Sequence, residues 1–489
     1  MTGTRCLSLL VSFAWLACRA APGGESSDHD ITPGDMRARI SFLSADRLRG
    51  RSTPSEGLEI AASYVSSEFA RFGLEAPAGG FTQRYQLVRT EIGDGWSLAL
   101  SRGGRRVVLR QGDELWGLAW AAGTVEGGLR FVSGAPMVAA RQEGEPTIWV
   151  ARLGISKTPR DWLAAASRAG AVGLILIAPE NLHPRQQAWS EAGGTVYELG
   201  DIEPSLPAAV VAERALADAL ERLSVGVEPA AGESPLAGSE AVQARLSADL
   251  RIETASAPNV IGILRGSDPE LREQYVLLSA HMDGLGVGAS QDGDSIYNGA
   301  DDNASGTAAI LEVAEGMARL ETPPRRSLAF LAVSGEERGL LGSSWFVEHP
   351  SIPLESIIAN VNVDMVGRNW DDKIAVIGKP YSTLGALIDS VAAAHPGLDL
   401  EALDDPWPSE GFFYRSDHFN FARKGIPAVF IFNGVHEDYH RPSDEAGKIK
   451  FRKASRIAEL LYEFTLALAN AQDIPRWDPR VRDSIVETR

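Results

Sequence analysis

Four short apolar runs constrain this chain more than any other feature: Tyr275–Ala280, Ser327–Val333, Ile357–Val363 and Ala428–Phe432. Each is continuously apolar or β-branched rather than alternating, the pattern of a strand buried on both faces. Segments of helical pattern separate them, so from about residue 255 the chain reads as a mostly parallel sheet covered by helices on both sides. Each run leads into, or lies just before, polar residues with metal-binding donors. In open parallel sheets the loops beyond the carboxyl ends of the strands converge on one crevice, so these polar residues are expected to meet.

The first run ends in His281-Met282-Asp283. An imidazole there can ligate through one ring nitrogen while Asp283 accepts the other N–H and fixes the tautomer; taken alone, it reads as readily as a hydrogen-bonded loop histidine. Gly299-Ala300-Asp301-Asp302-Asn303-Ala304-Ser305-Gly306 then opens a helix with Ile310, Val313, Ala314 and Met317 on one face. Acidic residues at such a start ordinarily serve as caps. The second run ends in Ser334-Gly335-Glu336-Glu337. Adjacent carboxylates at a strand end point different ways, so one can bind metal while the other faces substrate as a base; a solvated acidic turn is the plainer reading of such a pair. The third ends in Val363-Asp364-Met365, where an aspartate buried without a partner would be costly. After the fourth comes Glu437-Asp438-Tyr439-His440-Arg441-Pro442. Each signal has an ordinary structural explanation. Two histidines and at least three carboxylates, each beside a different strand of one sheet, do not. Oxygen and imidazole donors without sulfur suit Zn, Mn or Co, and a set this rich in carboxylate suits two ions about 3.5–4 Å apart.

Other chemistries find little support. Cys6 and Cys18 are the only cysteines and no Gly-x-Ser-x-Gly elbow occurs, so a covalent nucleophile is not indicated. A net charge of −18 is repelled by nucleic-acid phosphates and anionic lipid, so no nucleic-acid partner is expected. Gly284-Leu285-Gly286-Val287-Gly288 lacks dinucleotide spacing and reads as a flexible loop. His418, in Ser416-Asp417-His418, and His436 read as supporting the site rather than ligating, and His29, His183, His349 and His395 as surface residues.

Residues 1–22 place Arg5 ahead of an apolar run from Cys6 to Cys18 and then Ala20 and Ala21, the grammar of an export signal. Trp15-Leu16-Ala17-Cys18 resembles a bacterial lipoprotein cleavage site except at Trp15, so a lipid anchor at Cys18 and cleavage after Ala20 or Ala21 both stand. The expected location is periplasmic, extracellular or lipid-anchored at the cell envelope. No later stretch reaches the roughly 18 apolar residues of a membrane span. Within 31–75 two helices are expected, one carrying Met36, Ile40 and Leu43 and one carrying Ile60, Tyr64, Val65 and Phe69 before a stop at Gly73. Residues 112–230 change texture: short strands at Leu129–Val132 and Ile148–Ala151, a helix at Thr158–Arg168, a strand at Val172–Ile177, then a strand and helix within Ala208–Leu223, closed by a connector at Ala231–Gly238. The chain of 489 residues, 44% hydrophobic, divides accordingly into a discontinuous domain at 30–111 and 239–475, an insert at 112–230 and a tail at 476–489.

The motifs His281-x-Asp283, Gly-Ala-Asp-Asp302-Asn-x-Ser-Gly, Glu336-Glu337, Asn362-Val-Asp364-Met, Ser416-Asp417-His418 and Tyr439-His440 resemble those of the di-zinc exopeptidases that include bacterial leucyl aminopeptidase, aminopeptidase Y and, more distantly, glutamate carboxypeptidase. Asp46-Arg47-Leu48-Arg49-Gly50-Arg51 and Phe72-Gly73-Leu74 look like that family's amino-terminal segment. The resemblance implies an α/β fold with a mostly parallel mixed sheet sandwiched by helices, and a smaller α+β protease-associated domain inserted at 112–230. It implies two Zn2+ per chain, Mn2+ or Co2+ being alternatives. His281 and Asp364 would bind one ion, Glu337 and His440 the other, and Asp302 would bridge them. It further implies Glu336 as general base, Asp283 behind His281, and Tyr439 as donor to the oxyanion. All of these positions carry the expected residue types, which argues against a decayed, receptor-like relative and less firmly against the one-zinc glutaminyl cyclases. The implied substrates are peptides with a free N-terminus. A carboxypeptidase, with Arg415, Lys424 or Arg441 holding a substrate carboxylate, and a non-catalytic binding protein on the same scaffold are the competing readings.

Overall fold

The computed structural model describes residues 31–112, 114–118, 121–132, 145–153, 159–178, 195–199, 206–224 and 242–487. The expected export segment with Cys18, His29 and His183, and the connector Ala231–Gly238, lie outside the described residues.

The four runs are strands at Tyr275–His281, Ser327–Val333, Ile357–Val363 and Ala428–Phe432, with all residues buried. They lie side by side and parallel at the centre of a nine-stranded mixed sheet, in the order 428–432, 357–363, 275–281, 327–333. Beyond Ser327–Val333 the strands Leu250–Leu264, Thr82–Ile92 and Thr195–Leu199 add on antiparallel. One face is covered by the helices Pro33–Leu43, Glu56–Phe72, Gly306–Ala318 and Phe451–Asn470, the other by Leu341–Glu348 and His418–Arg423, which accounts for apolar runs without alternation.

The helix boundaries follow from local chemistry. Thr32 caps the first helix by accepting the Asp35 N–H at 3.2 Å, with Pro33 preset at its first position. Ser55 caps the second through the Leu58 N–H, and Gly73, at φ 82°, ends it in a left-handed turn. Met36, Ile40 and Leu43 are buried as expected. Ile60 is not: the second helix turns Leu58, Ala61, Ala62, Val65 and Phe69 inward and leaves Ile60 exposed.

A second sheet of eight strands runs in the order 105–110, 97–102, 243–248, 123–132, 147–152, 173–178, 208–212, 115–118. Its strands start at Ser97 and end at Ala248, so this unit reaches well outside the expected 112–230. Leu98 and Leu100 on one side and Ala244 and Leu246 on the other close its core together with Trp96. Conversely, Thr195–Leu199, from inside the expected insert, pairs with Thr82–Ile92 of the main sheet. The ribbon of Thr82–Ile92 against Leu250–Leu264 connects the two units, and the Gly93 N–H to Asp249 carbonyl bond, 2.8 Å, closes it.

Two further expectations change. Gly286–Gln291 pairs with Asp294–Tyr297 as a hairpin, so the glycine-rich segment is not a free loop. The expected tail is packed: Trp477 Nε1 donates to the Gly425 carbonyl at 2.9 Å, and Ile485, on the helix Pro479–Ile485, is buried with Phe412, Phe430 and Phe432.

Candidate metal centre

The polar ends of the four central strands meet. His281 Nε2 lies 3.3 Å from Asp302 Oδ1 and 3.3 Å from Asp364 Oδ1. His440 Nε2 lies 3.3 Å from Asp302 Oδ2 and 3.4 Å from Glu337 Oε2. Two overlapping trios result, His281 with Asp302 and Asp364, and His440 with Asp302 and Glu337; within each, the donor atoms lie within 4.8 Å of one another. Asp302 is common to both, with one oxygen toward each histidine. Both Met365, directly after Asp364, and His440 hold left-handed φ values, 56° and 58°, which are uncommon for residues with a Cβ and concentrate at functional sites.

The turn that presents Asp302, Ala300–Ser305, is fastened from several sides. Asn303 Oδ1 accepts the Gly306 N–H at 2.8 Å, and Asn303 Nδ2 donates to the Val363 carbonyl at 2.9 Å, tying Asp302 to the strand that carries Asp364. The Asp444 carboxylate accepts the N–H groups of Asp301 and Asp302, both within 3.1 Å. Burial and the neighbouring Asp301 charge push Asp444 up to about 7.

Behind the donors lies a layer of support. Asp283 Oδ1 is 3.5 Å from His281 Nδ1 and accepts the Glu336 N–H at 3.3 Å, while its Oδ2 accepts from Thr53 Oγ1 at 2.9 Å. Ser416 Oγ donates to Asp364 Oδ2 at 2.9 Å, and Asn362 Nδ2 donates to Ser416 Oγ at 2.9 Å. Fully buried Arg51 donates to the carbonyls of Leu43, Met282 (3.0 Å), Asn298 (2.8 Å) and Gly299 (3.1 Å), joining the amino-terminal segment to the loops of both His281 and Asp302. Arg51 and Ser416 stand within motifs read from the sequence, but their partners, far off in the chain, are not readable there. Thr53 carried no signal.

The electrostatics ask for positive charge. Burial, with Asp302 nearby, pushes Glu337 up to about 7, and burial drives Glu336 and Asp364 above the usual carboxylate range. Against its own burial, Asp302 is held well below that range by His281 and His440. Burial opposes charge on His440, yet Asp302 and Glu337 push it to about 10; His281 is raised likewise against its burial, chiefly by Asp364. The histidines thus take up protons to balance clustered carboxylates. His281 Nε2 and Asp364 Oδ1 are buried and make no hydrogen bond among the described residues. A hard or borderline divalent cation in each trio satisfies both the charge and these atoms, so the residues fit the implied ions.

The other histidines lie elsewhere. His418 is fully buried between Phe413 and Phe430, ring centroids 4.9 and 5.0 Å away, and burial pushes it down to about 3, a neutral core ring. His436 Nε2 sits 3.2 Å from Asp301 Oδ2, beside Asp302 in the chain. His349 stacks on Trp345, and His395 lies 3.5 Å from Glu463.

A cavity of about 590 Å3 opens beside the trios. Asp302, Glu336, Glu337, Asp364, Tyr439 and His440 line its polar part; Met365, Phe412, Phe430 and Phe432 form apolar walls. The Tyr439 ring stacks on His440 at 3.8 Å.

A mixed sheet thus gathers two overlapping His/carboxylate trios, a candidate centre for divalent cations, beside a substrate-sized cavity. Residues 259–465 match the model of Peptidase family M28. The solved aminopeptidase from Aneurinibacillus sp. strain AM-1 has the same fold, with a TM-score of 0.56 at 20% identity over 92% of this chain and 96% of that one. Aminopeptidase YwaD of Bacillus subtilis (strain 168) is 28% identical over 238 residues, 45% of this chain and 48% of its own length. Aminopeptidase NAALADL1 of Mus musculus is 35% identical over 150 residues, 29% of this chain and 18% of its own. The chain thus spans about half the length of YwaD and less of NAALADL1.

Proposed function

We propose that this chain is a zinc-dependent aminopeptidase that hydrolyses the N-terminal bond of peptides. The observation carrying the reading is Asp302, shared by two donor trios that open onto one cavity. His281 and Asp364 would hold one ion, Glu337 and His440 the other, and Asp302 both. When bound, the pair lowers the pKa of a water toward about 7 and supplies positive charge opposite the scissile carbonyl.

The chain's own residues do the rest. Glu336 accepts the proton of the attacking water and returns it to the leaving amine; its burial, which raises its proton affinity, suits that task. Asp283 holds the His281 ring through Nδ1 and fixes the Glu336 backbone through its N–H. Tyr439, on the cavity wall, donates its hydroxyl to the oxyanion. The apolar walls shed water around the side chain of the N-terminal residue. Export rests on the Arg5-to-Ala21 pattern; among the described residues no helix is long and apolar enough to cross a membrane.

The test is a panel of aminoacyl amides assayed before chelation, after it, and with zinc restored, beside an N-blocked peptide. Zinc-restorable cleavage of the free-amine substrates is expected; activity surviving exhaustive chelation, or confined to the N-blocked peptide, refutes the reading. Glu336→Gln should keep its metal and lose turnover by about 10³-fold.

A further inference from the structure

We infer that Arg415 makes part of the cavity a carboxylate-binding subsite, so that preferred substrates are short peptides with a carboxylate close to the bond that is cut. The inference rests on the peptidase reading and narrows its substrate class.

Of the three cations available from the sequence, only one faces the cavity in a usable state. Lys424 is engaged by Glu348 at 2.7 Å and Glu487 at 3.1 Å. Arg441 borders a smaller recess with Leu285 and Tyr297, on the other side of Asp302, Glu337 and His440, and is not among the residues lining the large cavity. Arg415 lines the large cavity and, among the described residues, is the one arginine or lysine that does so. Its guanidinium carbon lies 4.8 Å from the centroid of the Phe412 ring, which forms an apolar wall of the same cavity. The ring face orients the planar fork without using any of its N–H groups. Among the described residues Arg415 has one carboxylate near it, Glu410 at 3.9 Å, itself 57% exposed, and its side chain makes no hydrogen bond. A fork oriented by stacking and left with free donors is suited to a planar oxyanion, which it can grip bidentately.

The charge layout gives the same direction. The four carboxylates Asp302, Glu336, Glu337 and Asp364 line the polar part of the cavity, where a substrate amine and the metal ions belong, and among the described residues a single arginine shares that lining with them. A ligand carrying both an ammonium and a carboxylate matches this polarity; one with an added cation does not. Such a carboxylate has two sources, the side chain of an acidic residue or the free C-terminus of a dipeptide.

Calorimetric titration of the zinc-loaded protein with reduced-amide peptides, which cannot be cleaved, separates them. One pair is reduced leucyl-leucine with a free C-terminus and as its C-terminal amide. The other is reduced glutamyl-leucinamide and glutaminyl-leucinamide. In at least one pair the carboxylate member should bind about tenfold more tightly than its amide. The first pair marks a free C-terminus, the second an acidic side chain. Arg415→Met should bring that ratio to about one and Arg415→Lys should keep part of it. Equal binding within both pairs, or a preference that survives Arg415→Met, overturns the subsite. Hydrolysis of leucyl amide by the unaltered protein tests the peptidase reading separately, so the two fail independently.

Discussion

The two domains contain the same device and use it differently. In the main sheet, parallel strands end in His281, Glu336-Glu337 and Asp364, which converge with excess negative charge. The second sheet also has four parallel neighbours, Gly123–Val132, Thr147–Arg152, Gly173–Ala178 and Ala208–Ala212. There the described strand ends carry Arg152 and Glu213, which pair at 2.5 Å on the surface. A parallel sheet therefore supplies a place where loops meet, but chemistry arises only where the residues meeting there cannot neutralise one another. Clustered, buried carboxylates create a demand for cations; an exposed ion pair creates none.

The contrast can be broken most forcefully at Asp302. Asp302→Ala should remove metal from both trios and reduce aminoacyl-amide hydrolysis by 10³-fold or more, read by elemental analysis and turnover; full metal occupancy in this variant would refute the shared-ligand geometry. Arg51→Met comes next. It leaves buried carbonyls of Met282, Asn298 and Gly299 without their donor and should cost about 3 kcal/mol in denaturant unfolding, with weaker metal retention. Lys453 sharpens the comparison through pH. Burial pushes its ammonium from 10.5 down to about 7. Between those values the unfolded chain binds the extra proton, so stability rises as pH increases from about 7 to 10, by at most ~1.4 kcal/mol per pH unit. Lys453→Met should flatten that slope in melts across the range; an unchanged slope assigns it to other groups. The smallest effect belongs to the second sheet: Arg152→Ala should shift stability by under about 1 kcal/mol and leave metal content and turnover unaltered.

What was legible in the sequence follows from burial. Ser327–Val333, Ile357–Val363 and Ala428–Phe432 match the observed strands at both ends because strands buried on both faces are written as unbroken apolar runs. Their terminal polar residues were conspicuous for the same reason. Ser97–Arg102 and Gln243–Ala248 lie on either side of the expected insert and belong to the second sheet only through their pairing across it, which neither segment records alone, so its limits were drawn too narrowly. Ile60 was misplaced because the helix has apolar residues beyond its buried stripe, and only packing chooses among them. Segment 476–487 has little apolar patterning of its own; Trp477 and Ile485 acquire their role from the aromatic cluster they meet. Arg51 and Thr53 act on loops more than two hundred residues away, a relation that one sequence does not record.

The pinch at Gly93 and Asp249 has a consequence for the order of assembly. Strand Thr82–Ile92 finds its partner only after the whole second unit has been threaded between them. Closing so long a loop by chance carries an entropic penalty and slows folding. Once the second sheet has formed, Ser97–Arg102 and Gln243–Ala248 lie paired, which delivers Ile92 beside Leu250 in register. The second unit thereby serves as a clasp that aligns the ribbon beside the main sheet.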